Sequence, residues 1–283
     1  MKKLFQRLIV FFIGLPALLS VVVFFPQQNH LLLNLVTITF SILGAVELRN
    51  ILAYKKLVVS LPETIILGAL SPLAWTIVVS FGVAGHIVAG AYILGAFWLL
   101  VSKVFSSIGK LDSYIGHIAA GFTIMIYPGL FMAWIVQMAV LSDSRLVILI
   151  FFIVVLLNDA MAWVAGVSWG KNNRGIIAAS PNKSIAGFIG GITASLIAGA
   201  AAVMIFPHAF TSKLIPPIPA GLILGFCTGI AAILGDLSES ALKRSAGVKD
   251  SGNLILGRGG ALDVIDSLSA AAPVYYIIYQ VLF

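Results

Sequence analysis

The stretch LVILIFFIVVLLNDAMAWVAGVSWG, residues 146–170, indicates the fold class of this chain. It is long and apolar enough to cross a bilayer as a helix, which takes about 20 residues, and we place a helix at 146–169. Its acidic residue is Asp159. A charge inside an apolar helix is costly unless it is paired, bound to metal or facing water. The stretch therefore predicts a transmembrane helix that brings Asp159 to a polar site, although a structural role, such as pairing with a lysine, stays open.

Apolar stretches of this kind recur along the 283 residues, of which 60% are hydrophobic and only 10% charged. Soluble domains are about half apolar and about a quarter charged. We therefore expect an all-α, polytopic transmembrane helical bundle of about nine spans. The predicted spans are 4–25, 31–53, 62–82, 86–103, 115–140, 146–169, 186–206, 218–237 and 267–283.

The polar chemistry concentrates in the second half of the chain. We predict an N-terminal region, 1–145, of about five transmembrane helices, and a C-terminal catalytic transmembrane region, 146–283. The C-terminal region contains the two longest polar segments between predicted helices, 170–185 and 238–266. Both segments fall on the same side of the predicted membrane, so they can build one site.

The lysines and arginines divide unevenly across the predicted spans. Of 17, all but Arg145 and Lys213 fall on the side of the N-terminus. Because basic residues are retained on the cytoplasmic side, we expect a cytoplasmic N-terminus, an external C-terminus and an active site facing the cytoplasm, in a bacterial-type inner or plasma membrane. The net charge of +7 is scattered between helices, which favours anionic lipid of the bilayer and phosphate as partners and argues against nucleic acid.

This orientation makes a testable prediction. A reporter fused after Phe283 should read as external, and one inserted within 245–255 should read as cytoplasmic, because the charge distribution sets the topology. Paired alkaline phosphatase and fluorescent protein fusions measure both positions. Two reporters on the same side would contradict the arrangement of nine spans.

The segment 235–267 carries five acidic and four basic residues. Ser240, Lys243 and Arg244 follow each other at helical spacing, and the glycines of Gly257-Arg258-Gly259-Gly260 would let the backbone approach a phosphate closely. Carboxylates beside basic groups suit a divalent cation and a polyphosphate in one space. The alternative is a solvated loop closed by a salt-bridge network.

A second polar constellation precedes the seventh predicted helix. Ser180, Lys183 and Ser184 would place hydroxyls, backbone N–H groups and a cation at a helix N-terminus, which suits an anion. A plain N-cap with a cytoplasmic lysine explains the same residues equally well. Small residues on the sixth helix favour close packing against a neighbour: Ala162, Ala165, Gly166 and Gly170.

These residues resemble the phosphatidate cytidylyltransferases, also called CDP-diacylglycerol synthases. The signature of that family reads approximately S-x-x-K-R-x4-K-D-x-G, then a glycine-rich turn, then L-D-R-x-D-S. The residues in register are Ser240, Lys243, Arg244, Lys249, Asp250, Gly252, Leu262, Asp263, Asp266 and Ser267. Further similarity covers Gly235-Asp236-Leu237, Asp159 with Gly166 and Gly170-Lys171, and Ser180-Pro181-Asn182-Lys183 leading to Gly187 and Gly190-Gly191.

The resemblance implies transfer of the cytidylyl group of CTP to phosphatidic acid, with Mg²⁺ as cofactor. It implies Asp236 and Asp263 as metal ligands, with Asp159, Asp250 and Asp266 as further candidates. The catalytic residues would be Lys243, Arg244, Lys249, Asp250 and Asp266. The substrate-binding residues would be Asp159, Ser180, Lys183, Ser184, Ser240, Arg258, Gly259 and Gly260.

The chain departs from the family pattern at four positions. Arg258 stands where histidine is usual, and Val264 stands where the L-D-R-x-D element has arginine. Ala186 replaces a glutamate, and Ser184 replaces the commoner threonine. We hypothesise that Arg258 supplies the guanidinium that is missing at Val264.

Two other functions stay open at this stage. A CTP-dependent kinase of a polyprenol or phytol-type lipid would need similar groups, but the full Lys243-Arg244…Lys249-Asp250 element argues against it. A catalytically silent scaffold or a transporter would explain the departures at Ala186 and Val264. A transporter should carry polar residues in both halves, however, and helices one to five are nearly devoid of them. The sequence leaves a homodimer open.

Overall fold

The computed structural model describes residues 10–105, 111–255, 257 and 259–283, and these residues form an all-α protein. A π-helical turn, Val10–Gly14, precedes the first helix. The helices of the described residues are α1 Leu15–Phe24, α2 Gln27–Ala53, α3 Leu61–Phe81, α4 His86–Val101, α5 Tyr114–Val140, α6 Ser144–Trp169, α7 Ile185–Ile205, α8 Pro217–Ser245 and α9 Leu262–Leu282.

Six of the described helices are long and apolar enough to cross a membrane: α2, α3, α5, α6, α7 and α8. Helices α1 and α4 are apolar but shorter. Helix α9 has 21 residues, but Asp263, Asp266, Ser267 and Ser269 make its first half polar. The all-α prediction is confirmed, whereas the sides on which the termini lie stay a prediction.

Helix boundaries depart from the prediction where charge begins. Helix α8 continues to Ser245 instead of ending at 237, and α9 begins at Leu262 instead of 267. A hydropathy window detects where a chain stops being apolar, but serine, glutamate, lysine and arginine continue a helix readily. The predicted start of the second span, 31, agrees with the point where α2 becomes regular. The residues just before it, Gln28, Asn29 and His30, have left-handed backbone angles.

The chain forms two compact units. Unit one is the described part of Met1–Val140 together with Leu242–Ile265, and unit two is Leu141–Ala241 together with Asp266–Phe283. Helices α8 and α9 each contribute to both units. Contacts thus place Leu242–Ile265 with the N-terminal helices, although this segment lies far from them in the sequence.

Buried polar contacts join the helices of unit one. Ser41 of α2 donates a hydrogen bond of 2.7 Å to the Gly68 carbonyl of α3. Near the start of α3, Glu63 Oε1 accepts a hydrogen bond of 3.0 Å from Trp98 Nε1 of α4 and lies 3.2 Å from His117 Nε2 of α5. The N-terminal half therefore holds more polar chemistry than the sequence analysis inferred.

Small residues bring α6 and α7 of unit two close together. A Cβ atom added to Gly187 would lie 2.8 Å from the Ala162 carbonyl oxygen, and one added to Gly190 would lie 2.5 Å from the Ala165 Cβ. The predicted packing role of Ala162 and Ala165 is confirmed. Gly166 and Gly170 pack against the start of α7, since a Cβ on Gly166 would lie 3.3 Å from the Ser184 hydroxyl and one on Gly170 would lie 2.8 Å from the Ser184 Cβ.

Close packing of α7 and α8 predicts a steric penalty at Gly199. An added Cβ would lie 2.9 Å from the Gly225 nitrogen, so Gly199→Ala should push the helices apart and cost about 1–3 kcal/mol. The measurement is the thermal unfolding midpoint in detergent. The matched control is Gly90→Ala on α4, where an added Cβ meets no described atom within 4 Å and alanine suits a helix better than glycine. Equal midpoints for the two variants would contradict the packing.

Candidate active site

Asp263 lies in the first turn of α9, and its carboxylate accepts four hydrogen bonds within unit one. Oδ1 accepts from the ammonium of Lys243 on α8. Oδ2 accepts from the backbone N–H of Ser251 at 3.0 Å, the Ser251 hydroxyl at 2.8 Å and the Gly260 N–H at 2.7 Å. Both oxygens are engaged, so the orientation of the carboxylate is fixed.

The protonation of Asp263 follows from these contacts. Burial would by itself raise the pKa of the carboxyl, but the hydrogen bonds from Lys243, Gly260 and Ser251 outweigh it and hold the pKa below its ordinary value. Lys243 is itself only 9% exposed. A buried charge of either sign is tolerated when it is paired and hydrogen-bonded, and Asp263 forms such a salt bridge with Lys243.

Glu47 of α2 adds a second buried carboxylate to this cluster. Its Oε1 accepts a hydrogen bond of 2.9 Å from the Ala261 N–H. Its Oε2 accepts one of 2.8 Å from the Leu262 N–H and lies 2.9 Å from the Ser251 hydroxyl, whose single proton Glu47 and Asp263 share. The sequence analysis missed Glu47, although an acid within an apolar span is by itself a signal of a polar site.

The glycine-rich turn has its own structural reasons for glycine. Ile255 and Gly259 exchange backbone hydrogen bonds of 2.8 and 3.1 Å. Gly259 has a φ of +107°, which residues with a side chain rarely adopt. A Cβ atom on Gly260 would collide with the Glu47 carboxylate and the Ser251 hydroxyl. The predicted approach of this backbone to a phosphate stays a prediction.

The remaining predicted residues of this segment are more open. Arg244, Lys249 and Asp250 are exposed, and Arg244 Nη1 donates a hydrogen bond of 3.3 Å to the Val248 carbonyl. Arg258 lies outside the described residues. Exposed basic groups are open to an anionic ligand, and Lys243 differs from them in also pairing with Asp263.

In unit two, Asp236 of α8 pairs with Lys183, which precedes α7. Lys183 Nζ lies 2.5 Å from Asp236 Oδ2, and the side chains are 24% and 34% exposed. The Ser240 hydroxyl donates a long hydrogen bond of 3.5 Å to Asp236 Oδ1. Ser184 accepts a hydrogen bond of 3.1 Å from the Gly187 N–H, so the N-cap predicted as the simpler alternative is present.

Hydrogen bonds shape the segment before α7. The Ser180 carbonyl accepts a bond of 3.1 Å from the Lys183 N–H, and the Asn173 carbonyl accepts one of 3.1 Å from the Ile185 N–H. At Ala186, where the resemblance expects glutamate, the backbone N–H donates to the Asn173 side chain at 3.5 Å. The segment thus presents Lys183 on a defined turn.

Three acidic side chains of unit two lie within electrostatic range of a fourth, Asp266. Asp266 is 7% exposed and is repelled by Asp236, Glu239 and Asp159. Asp159 Oδ1 accepts a hydrogen bond of 3.3 Å from the Ser267 hydroxyl. Glu239 is fully buried and received no role in the sequence analysis. A cation beside Asp266 would relieve this repulsion.

These carboxylates are hard oxygen donors of the kind that Mg²⁺ prefers. Among the described residues, no three His, Cys, Asp or Glu side chains are arranged as a metal site. Asp236 and Asp263 are instead each paired with a lysine. Mg²⁺ as the cofactor stays a prediction, and each of the two predicted ligands lies beside a lysine ammonium group.

The fold and the two clusters define an all-α protein with six candidate membrane-spanning helices and paired acidic and basic side chains. The Cytidylyltransferase family profile matches residues 5–282, so the chain belongs to this family. The family resemblance carried by the quoted residues is thereby confirmed.

Similarity to curated proteins agrees with this membership. Phosphatidate cytidylyltransferase of Haemophilus influenzae is 41% identical over 130 residues, covering 45% of this chain and 43% of that protein. The uncharacterized protein YnbB of Escherichia coli is 34% identical over 146 residues, covering 51% and 46%. Phosphatidate cytidylyltransferase of Staphylococcus saprophyticus is 29% identical over 277 residues, covering 93% and 96%. The chain thus matches less than half the length of the first two and nearly all of the third.

Proposed function

We propose that this protein transfers the cytidylyl group of CTP to phosphatidic acid, giving CDP-diacylglycerol and pyrophosphate for phospholipid biosynthesis. The observation that carries the proposal is the family match over 5–282, together with relatives named phosphatidate cytidylyltransferase. The charged clusters support it, because the residues that carry the resemblance form the pairs Lys243–Asp263 and Lys183–Asp236.

The chemistry of the transfer suits this set of side chains. A phosphate oxygen of phosphatidic acid forms a bond to the α-phosphorus of CTP, and the bond from that phosphorus to the oxygen bridging to the β-phosphorus breaks, so pyrophosphate leaves. The substrate brings its own nucleophile. The protein needs chiefly to position the phosphates and to stabilise their charge.

We assign roles to the chain's residues accordingly. Ser240 donates its hydroxyl to a substrate oxygen. The groups that contact phosphate oxygens of CTP or the lipid are Lys183, Lys243, Arg244, Lys249 and Arg258. The acyl chains stay among the helices in the bilayer, and the headgroup enters the polar region from the cytoplasmic side.

We propose Mg²⁺ as the cofactor, with Asp236 of unit two and Asp263 of unit one as metal ligands and Asp159, Asp250 and Asp266 as further candidates. When bound, the ion neutralises charge that develops on phosphate oxygens. The repulsion of Asp266 by Asp236, Glu239 and Asp159 and the lowered pKa of Asp263 support this assignment.

Position-specific labelling of CTP tests the proposal. Purified protein with phosphatidic acid and Mg²⁺ should transfer label from α-³²P-CTP into lipid and release label from γ-³²P-CTP as pyrophosphate. With a polyprenol or phytol-type alcohol in place of phosphatidic acid, transfer of the γ-label into the alcohol would identify a lipid kinase instead. No turnover of CTP with either acceptor would favour a silent scaffold or a transporter.

A further inference from the structure

The carboxylate of Glu47 reaches the segment that carries Asp263 from a distant part of the chain. It is 8% exposed and accepts backbone hydrogen bonds from Ala261 and Leu262, 214 and 215 residues away. These N–H groups stand at the start of α9 and have no partner within the helix. A carboxylate at a helix N-terminus satisfies such groups and opposes the helix dipole. Glu47 therefore caps the helix on which Asp263 lies.

Glu47 also determines the course of the loop before α9. A Cβ atom added to Gly252 would lie 2.5 Å from Glu47 Oε1, and one added to Gly260 would collide with Glu47 Oε2. Both glycines let the backbone pass against the carboxylate. The loop is thus fixed at two points by a side chain from α2.

The Ser251 hydroxyl lies between the two carboxylates, 2.9 Å from Glu47 Oε2 and 2.8 Å from Asp263 Oδ2. Two negative groups so close together repel each other unless donors compensate them. The compensation comes from the Lys243 ammonium and from the backbone N–H groups of 251 and 260–262. Glu47 and Asp263 are therefore parts of one network.

We propose that Glu47 is a positioning residue that holds Ser251 and the backbone of Ala261 and Leu262, and through them the Asp263 carboxylate, in the orientation needed for catalysis. This inference rests on the proposed function for its kinetic test. Glu47 touches no reacting atom in this proposal. It acts on the reaction by fixing Ser251, Gly260 and the start of α9.

The primary variant is Glu47→Gln, which keeps the shape but replaces one acceptor oxygen with an NH₂ group that would face an N–H donor. The matched control is Glu63→Gln, also in unit one, since the Glu63 carboxylate contacts Trp98 and His117 of the N-terminal helices. Both variants remove one partly or fully buried carboxylate. Only the first removes a contact to the Asp263 network.

We expect Glu47→Gln to lower kcat about tenfold or more, to raise the Mg²⁺ concentration for half-maximal activity several-fold, and to leave KM for phosphatidic acid within about twofold. Amide hydrogen exchange of 260–263, measured without CTP, lipid or Mg²⁺, should accelerate about tenfold. Glu63→Gln should leave the Mg²⁺ dependence and this exchange at parental values.

A second variant keeps the proposal testable if Glu47→Gln is not recovered folded. Ser251→Ala removes only the bridging hydroxyl and should shift the Mg²⁺ dependence in the same direction. Where both variants fold, the double variant should be little worse than Glu47→Gln alone, because the effects share one network. An unchanged Mg²⁺ dependence in Ser251→Ala, additive effects, or an equal loss in Glu63→Gln would each overturn the positioning role.

The exchange measurement separates this proposal from the proposed function. A parent protein that makes no CDP-lipid would refute the proposed function, whereas the exchange at 260–263 can still be compared between parent and variant. Parental exchange in Glu47→Gln would overturn the positioning role even in an active cytidylyltransferase.

Discussion

Asp263→Asn is expected to lower the rate of CDP-lipid formation about a hundredfold or more, which corresponds to about 2.7 kcal/mol of barrier. The carboxylate accepts from Lys243 on one oxygen and from Ser251 and Gly260 on the other. An asparagine amide would turn its NH₂ group towards one of these donors in either orientation. The variant also loses the charge proposed to hold Mg²⁺.

The control for this prediction is Asp112→Asn, which removes an equal charge from an exposed aspartate of unit one and should leave turnover unchanged. Thermal unfolding of the purified variants shows whether a loss reflects chemistry or folding. Turnover of Asp263→Asn within about threefold of the parent, less than 1 kcal/mol of barrier, would remove Asp263 from the proposed metal site.

The sequence predicted the helices well because hydropathy reports directly on residues that avoid water. Each of the nine predicted spans overlaps a helix among the described residues, although residues 4–9 of the first span lie outside them, and six of these helices are long and apolar enough to cross a membrane. The predicted boundaries were wrong at the end of α8 and the start of α9, where the chain becomes charged but remains helical. Charge marks where a helix leaves an apolar environment, and helix propensity decides where the helix ends.

The sequence predicted which charged residues belong to the candidate site, but not which of them pair with each other. Lys243, Asp263, Lys183 and Asp236 stood out as charges next to apolar helices. Their pairing depends on which turns of separate elements face each other, and residue spacing does not encode that. Lys243 and Asp263, for example, are 20 residues apart.

Glu47 was missed for a different reason. The charged segment after 235 offered a dense pattern, whereas Glu47 is a single acid in an otherwise apolar stretch, followed closely by Arg49. Its partners are more than 200 residues away and include backbone N–H groups, which no sequence motif displays. Only the burial cost of a lone carboxylate could have indicated a polar partner from elsewhere in the chain.

Asp236→Asn should also lower turnover about a hundredfold or more, because it removes a proposed metal ligand. The Asp236–Lys183 pair is partly exposed, and ion pairs in such positions contribute about 0–1 kcal/mol to stability. The thermal unfolding midpoint should therefore change little, so the loss can be assigned to function.

A charge exchange distinguishes a functional aspartate from one half of a structural salt bridge. In the double variant Lys183→Asp with Asp236→Lys, opposite charges still face each other, so the unfolding midpoint should stay near that of the parent. Turnover should remain as low as in Asp236→Asn, since a lysine at 236 cannot hold a divalent cation and an aspartate at 183 repels phosphate. Recovery of turnover in the exchanged variant would mean that the pair serves only to join two elements of unit two.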